Sequence, residues 1–267
     1  MNNMFGDDSF SNLLHTPFSQ LQGTQQPTMQ QEESFTVYEF NRATRVARPT
    51  EVLMLDNRID EESRVIFNTY TAILQQVFVN DMVTPNITSL QMSKSNYDFS
   101  LLVAQLSRIW EIELNNSVVQ IIRQEKGIEM PQYYQRVKTD KNNKAESIIV
   151  ADGDKTFYLN SWSDNYGLKP QTMGAICILM RIFNDELAKH LGVGEDIFRQ
   201  FRKKIGAMTD CRNKASHTSV LDEDYFHEFY GIFCSLIREK WLTILMQGKE
   251  KMKTANSTSK CKFTTNI

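Results

Sequence analysis

The apolar positions of this chain follow a helical period over most of its length. Beyond the first quarter of the chain they recur every three or four residues, which places them on one face of an amphipathic α-helix. Glu61 and Glu62 suit a first helical turn, so we predict a first helix that begins near Asp60. A long second helix is predicted from about residue 97 to residue 126, with Gly127 as its stop signal.

Three further helices are predicted in the second half of the chain. One opens at Pro170, because proline is tolerated in a first helical turn, and ends at Gly192. The next begins at Glu195, and its apolar stripe leads to Arg212. The last extends from about residue 221 to residue 246 and carries a broad aromatic face. This pattern predicts an all-α fold, a helical bundle.

A short stretch between the second and third helices has the pattern of β-structure instead. Residues 148–150 and 157–159 are two β-prone runs, and Asp152 and Gly153 lie between them. Asp-Gly between such runs favours a tight hairpin turn. We therefore predict a small β-hairpin insertion near residues 147–160.

The segment before the first helix is ambiguous. Apolar residues between 35 and 40 suggest a short extended piece, and three arginines follow before Pro49. A solvated linker is the favoured interpretation of residues 35–56. The helical domain is then predicted to span residues 35–247, with this segment as its N-terminal extension.

Both ends of the chain are predicted to lie outside the packed domain. Residues 1–34 contain no Lys or Arg and are rich in Gln, Asn, Ser and Thr, so they have too little apolar surface to fold and form a disordered acidic tail. Residues 248–267 carry several lysines with only Glu250 opposing them. They are predicted to form a flexible basic tail.

Composition narrows the class of protein. A net charge of −2 gives no global attraction to nucleic acid, so RNA binding has to rest on a local patch. The four cysteines form no CxxC pair, which favours a reducing cytosolic compartment and gives no spacing typical of zinc ligands. No apolar run approaches the length of a membrane span. We expect a cytoplasmic protein with no membrane association, no cofactor and no metal ion.

A polar segment interrupts the apolar stripe of the fourth helix. Arg212 occupies the next stripe position after Met208, so its guanidinium is aimed at the core or a crevice and requires an anion there. His217 follows five residues later, about 140° around a continuous helix. The polar residues after Ala215 favour a helix that ends between the two, which would let both face one cleft.

Arg212, Asn213 and His217 together read R-N-x-x-x-H. This resembles the signature of the HEPN superfamily of helical RNA-cutting and nucleotide-binding domains, in which an arginine and a polar residue precede a histidine. The resemblance covers about residues 96–247. It implies an HEPN-like helical bundle, a homodimer with a composite site, and RNA cleavage that needs no divalent metal and leaves 2′,3′-cyclic phosphate ends. Members commonly act in toxin–antitoxin pairs, phage defence or RNA processing.

The chemistry of these three residues suits RNA cleavage. The imidazole of His217 has an ordinary pKa near neutrality and can transfer protons. The guanidinium of Arg212 can stabilise the charge that develops on a phosphate. Asn213 can orient the imidazole or donate to a phosphate oxygen. One histidine does not readily act as both acid and base in a turnover, which a composite site in a dimer would resolve.

Nearby residues are candidates for RNA binding and for support of the motif. Glu113 lies close to the apolar stripe of the second helix, either at its solvent edge, which is favoured, or paired with Arg212. Ser216 is a second candidate support. The cations that would contact the RNA backbone are Arg199, Arg202, Lys203, Lys204 and Lys214. Such a charged run is also typical of a solvated helix face.

Two alternatives to an endoribonuclease are open. The first is a non-catalytic helical module that uses the same basic surface to bind RNA, a nucleotide or a regulatory protein partner. The second is a structural interaction subunit whose acidic and basic tails serve as docking arms. RNA binding separates the first from the second, and cleavage separates the enzyme from both.

Overall fold

Helices make up most of the described part of this protein. The computed structural model describes residues 34–41, 46–83, 98–128, 149–153, 155–159, 162–163, 167–217, 221 and 223–261. The described helices are α1 (Glu61–Val83), α2 (Ser100–Asn116), α3 (Val118–Glu125), α4 (Met173–Ile182), α5 (Asn184–Leu191), α6 (Glu195–His217), α7 (Glu223–Arg238) and α8 (Trp241–Cys261). The predicted mainly helical fold is confirmed.

The described strands form three antiparallel pairs of two strands each. They are β1 (Ser34–Asn41) with β2 (Val46–Met54), β3 (Ile149–Asp152) with β4 (Lys155–Tyr158), and β5 (Trp162–Ser163) with β6 (Gly167–Leu168). The β3–β4 pair is the predicted hairpin, with Asp152 opposite Lys155 and Gly153 at a φ of 57°. Arg123 of α3 binds the segment that follows this hairpin. Its buried guanidinium donates to the carbonyl oxygens of Leu159 (2.8 Å) and Lys169 (2.7 Å).

Helix α6 is the central element of the packing and contacts α2, α4, α5 and α7. Its apolar stripe is fully buried, and the ring of Phe201 stacks on Trp241 of α8 with centroids 3.9 Å apart. Removing one such side chain from water stabilises the fold by about 1.5–3 kcal/mol. The stripe residues are Phe198, Phe201, Ile205 and Met208. The C-terminal turns of α6, which carry the motif, therefore extend from a part of the helix that is packed in the core.

Several predicted helices are divided by local breaks. The predicted second helix is split into α2 and α3 at Ser117, whose hydroxyl donates back to the carbonyl oxygen of Glu113 at 2.5 Å. Such a side-chain bond bends a helix. The predicted last helix is split into α7 and α8 near Lys240, which adopts a left-handed φ of 60°. The stops at Gly127 and Gly192 are as predicted, with φ values of 70° and 72°.

The interpretation of residues 35–56 as a solvated linker is wrong. Strands β1 and β2 pair over this segment and pack on α1 and α7. Phe35 and Val37 are buried on the same face of β1, and the Phe35 ring meets Phe67 of α1 edge to face at 5.5 Å. The backbone N–H of Tyr38 donates to the hydroxyl of Tyr230 on α7 at 3.2 Å. The alternating apolar residues therefore belong to the core.

The prediction of a flexible tail that begins at residue 248 is also wrong for residues 248–261, which belong to a helix. Helix α8 continues to Cys261, and Met252 is 1% exposed. Gly248 permits a close approach to α5, because a Cβ there would lie 2.6 Å from Cδ2 of Leu191. Residues 1–33 and 262–267, where the two tails were predicted, lie outside the described residues. Within the described part of the chain, no helix is long and apolar enough to cross a membrane.

Candidate functional site

The R-N-x-x-x-H segment occupies the last turns of α6. The helix is unbroken from Glu195 to His217, so the prediction that it ends between Arg212 and His217 is wrong. The hydroxyl of Ser216 donates to the carbonyl oxygen of Arg212 at 3.1 Å, and Ala215 packs against the core. The polar hydroxyl of Ser216 thus has a hydrogen-bond partner within the helix, and the helix can continue through this segment. Residues five apart on such a helix lie about 140° apart around its axis, so Arg212 and His217 occupy different faces. The side chain of His217 lies outside the described part of the structure.

Arg212 is held by a carboxylate on the neighbouring helix α2. Its Nη2 lies 3.7 Å from Oε2 of Glu111, and the two side chains are 34% and 26% exposed. Its Nη1 lies 3.5 Å from Oδ1 of Asn213, the next residue of the motif. Glu111 supplies the anion that the stripe position of Arg212 led us to expect, in a contact that is partly exposed to solvent. A third of the side chain is still open to solvent, so a phosphate oxygen could reach the guanidinium.

Glu113 does not lie at the solvent edge of α2, and the cation near it is Lys249 instead of Arg212. Glu113 is fully buried, and its Oε1 accepts from the backbone N–H of Asp60, just before α1, at 2.7 Å. Burial raises the pKa of the Glu113 carboxyl, and the hydroxyl of Ser63, the amide of Asp60 and the charge of Lys249 partly oppose that rise. Residues 111 and 113 lie about 160° apart around α2, which is why only Glu111 reaches the motif.

The cations predicted to bind RNA differ in their contacts along α6. Arg199 pairs with Asp196 on its own helix at 3.0 Å. Lys204 pairs with Glu239, at the end of α7, on another side of α6. Both pairs are at least partly exposed, and exposed pairs contribute little to stability, so a phosphate could compete for either cation.

The other three predicted cations have different surroundings again. Arg202 is half-buried beside α4, close enough to Cys177 to oppose the rise that burial causes in the pKa of that thiol. Lys203 is exposed. Lys214 places its Nζ 3.7 Å from the ring centroid of Tyr225 on α7. Positions 199, 203 and 214 lie within about 60° of one another around α6, and position 204 lies about 140° from position 199.

The end of α6 has a specific electrostatic character. Unsatisfied carbonyl groups give a helix C-terminus a partial negative charge that attracts cations and repels phosphate. Arg212 and Lys214 project from these turns and are the groups that could attract a phosphate there. Glu111 limits the net positive charge on one side. The arrangement suits recognition of one phosphate group by Arg212, with Asn213 beside it.

Two residues at this site were missed by the sequence interpretation. Glu111 differs from Glu113 by two positions on the same helix, and only the packing of α2 against α6 decides which carboxylate meets Arg212. Tyr225 lies in the first turns of α7, and its contact with Lys214 depends on the angle between α6 and α7. No local sequence signal indicated Tyr225, because it is not part of the aromatic face predicted for the last helix.

Comparison with known proteins adds no assignment for this site. No family model, no curated protein and no solved structure matches the chain.

Proposed function

We propose that this protein is a metal-independent endoribonuclease whose site is the R-N-x-x-x-H segment at the end of α6. The observation that carries the proposal is the position of Arg212. Its guanidinium is directed by Glu111 of α2, contacts Asn213, and keeps about a third of its surface open. A cation that is oriented in advance and still accessible is what stabilisation of a phosphorane requires. The mainly helical fold around the segment is compatible with an HEPN-like bundle.

The proposed reaction assigns each residue of the segment one role. A base removes the proton from the 2′-hydroxyl, the 2′-oxygen attacks the adjacent phosphorus, and the bond to the 5′-oxygen breaks as an acid protonates that oxygen. His217 takes the proton from the 2′-hydroxyl, and a water molecule protonates the leaving 5′-oxygen. Arg212 binds the non-bridging oxygens, and Asn213 donates a further hydrogen bond. The products carry a 2′,3′-cyclic phosphate and a free 5′-hydroxyl.

The proposal requires a second copy of the chain. Arg212 and His217 lie on different faces of α6, so the two residues of one protomer do not face the same phosphate. We propose a homodimer in which Arg212 of one protomer and His217 of its partner act on the same phosphate. Such an interface is self-complementary, so a two-fold dimer forms two equivalent sites.

Cleavage of end-labelled RNA in the presence of EDTA tests the proposal. We expect the wild-type protein to cut and to leave cyclic phosphate ends, and Arg212→Ala and His217→Ala each to lose at least about a hundredfold in rate. Arg181→Ala is the matched control, because Arg181 is also a partly exposed arginine that pairs with a carboxylate, Asp152. Equal cleavage by His217→Ala and wild type would refute the assignment.

A second candidate function is supported by the continuity of α6. If no dimer brings the two faces together, the segment can still bind an RNA phosphate or a nucleotide through Arg212 and Asn213 without cutting it. This module would bind RNA with an affinity that Arg212→Ala lowers and that His217→Ala leaves largely intact. Binding without cleavage by wild-type protein across several RNAs would favour it over the enzyme.

A further inference from the structure

A lysine of the motif segment lies on the face of an aromatic ring. Nζ of Lys214 is 3.7 Å from the ring centroid of Tyr225, so an ammonium group of α6 covers a ring of α7. Lys214 is exposed and Tyr225 is half-buried. The ring is thus partly held in the fold, and one of its faces is covered by an ammonium group on a four-carbon stem.

This ring lies beside the turn that carries the motif histidine. Lys214 precedes His217 by three residues on the same continuous helix. Residues at this spacing lie about 60° apart around the axis and about 4.5 Å apart along it. The Tyr225 ring under Lys214 therefore borders the last turn of the proposed site, on the opposite side of α6 from Glu111 and Arg212.

An aromatic ring with a neighbouring cation is the chemistry that binds unpaired nucleotides. Proteins hold single-stranded RNA by stacking bases on aromatic side chains, and lysines track the phosphates between them. A base inside a duplex is already stacked on its neighbours and is not available to such a ring. The contact between Lys214 and Tyr225 is partly exposed, so a base can replace the ammonium on the ring at small cost.

We propose that Tyr225 is the stacking platform for one unpaired base of a single-stranded RNA, next to the phosphate on which His217 of the same protomer and Arg212 of the other protomer act. Lys214 leaves the ring when the base enters and contacts a phosphate of the same strand. This inference rests on the proposed function and adds its substrate class, which is RNA in single strands or loops. Tyr225 is a binding residue in this scheme and takes no part in proton transfer.

The test uses a single-stranded 2′-O-methyl oligoribonucleotide that contains one 2-aminopurine. The methyl group removes the nucleophile, so binding is measured without cleavage, and 2-aminopurine loses fluorescence when it stacks. Binding and quenching are compared for the wild-type protein, Tyr225→Phe, which keeps the ring, and Tyr225→Leu, which removes it. Tyr158→Leu is the matched control, because Tyr158 is an exposed tyrosine on the β3–β4 hairpin.

We expect quenching with wild type, Tyr225→Phe and Tyr158→Leu, and a loss of quenching with binding about 5- to 100-fold weaker for Tyr225→Leu. Equal quenching and affinity for Tyr225→Leu would overturn the inference and leave the proposed function intact, since RNA still binds. No binding by any variant, together with no cleavage of unmodified RNA, would overturn both. If Tyr225→Leu does not fold, as judged by circular dichroism, binding by wild type without quenching overturns the inference.

Discussion

Nη2 of Arg212 on α6 lies 3.7 Å from Oε2 of Glu111 on α2, and this contact connects the motif to the packed core. The pair is partly exposed, so its contribution to the free energy of unfolding is about 0–1 kcal/mol. Its consequence is orientation, because the guanidinium would otherwise sample many rotamers. Displacement of a positioning group by about 1 Å can cost a hundredfold in rate.

Glu111→Gln is therefore expected to separate activity from stability. The change keeps the size of the side chain and removes the charge that directs Arg212, so the rate of RNA cleavage should fall at least about tenfold while the midpoint of thermal unfolding shifts by a few degrees at most. Asp152→Asn is the control, because it removes the corresponding partner of Arg181. Unchanged cleavage by Glu111→Gln would show that Arg212 needs no such anchor.

The substitutions Gly248→Ala and Gly231→Ala are expected to change the free energy of unfolding in opposite directions. A Cβ at position 248 would meet Cδ2 of Leu191 at 2.6 Å, so α8 and α5 must separate, and we expect a loss of about 1–3 kcal/mol in the free energy of unfolding. A Cβ at position 231 of α7 meets no atom within 4 Å, so Gly231→Ala should gain about 0.5–1 kcal/mol. Urea denaturation measures both, and a stabilising Gly248→Ala would contradict the close helix contact.

Glu113 should make the free energy of unfolding decrease as the pH rises, and the substitution Glu113→Gln should remove this dependence. Burial raises the pKa of Glu113 in the folded state above 4.5, so the folded protein holds this proton more tightly than the unfolded chain does. The stability linked to that proton is present below pH 4.5 and is lost as the pH rises through the folded-state pKa. The wild type should therefore lose stability relative to Glu113→Gln as the pH rises above 4.5.

Asp98 offers an internal control for that experiment. Hydrogen bonds from the hydroxyl and the amide of Ser100 hold the pKa of Asp98 below 3.8 in the folded state, so its stabilising effect is lost as the pH falls through this range. Asp98→Asn should show the opposite trend from Glu113→Gln in urea denaturation across pH. The same trend for both variants would contradict the buried position of Glu113.

Phe35→Ala tests whether the β1–β2 hairpin belongs to the core. The ring is 5% exposed and contacts the rings of Phe67, Tyr230 and Phe233, so its removal should cost about 3–5 kcal/mol in the free energy of unfolding. Thr36→Ala on the opposite face of the same strand is the control and should change stability by less than about 0.5 kcal/mol. A small effect of Phe35→Ala would restore the interpretation of this segment as a linker.

The sequence predicted helices well because their signals are local. The apolar stripe of α6, the acidic first turns and the left-handed glycines at 127 and 192 are each visible within a few residues. The β3–β4 hairpin was predicted for the same reason, from the Asp-Gly pair between two β-prone runs, although Asp152 is the last residue of β3 and pairs with Lys155. The β1–β2 hairpin was missed because its apolar residues are stabilised by α1 and α7, which lie far along the chain.

The candidate site was predictable only in part. The position of Arg212 on the apolar stripe indicated an anion beside the guanidinium, and Glu111 supplies one. Whether Glu111 or Glu113 meets Arg212 depends on the rotation of α2 about its axis, and no local sequence pattern predicts that rotation. The continuity of α6 through Ser216 was also missed, because a polar run ends a helix only when no neighbouring helix packs against it.

The central claim is that Arg212 and His217 act across a dimer, and complementation between inactive variants tests it most directly. Arg212→Ala and His217→Ala are purified separately, mixed under conditions that exchange protomers, and assayed for cleavage of end-labelled RNA with EDTA present. Random exchange makes about half of the dimers mixed, and each has one site with both residues intact, so the mixture should recover about a quarter of the wild-type rate. A mixture that stays as inactive as its components, although protomer exchange is demonstrated, would contradict the composite site.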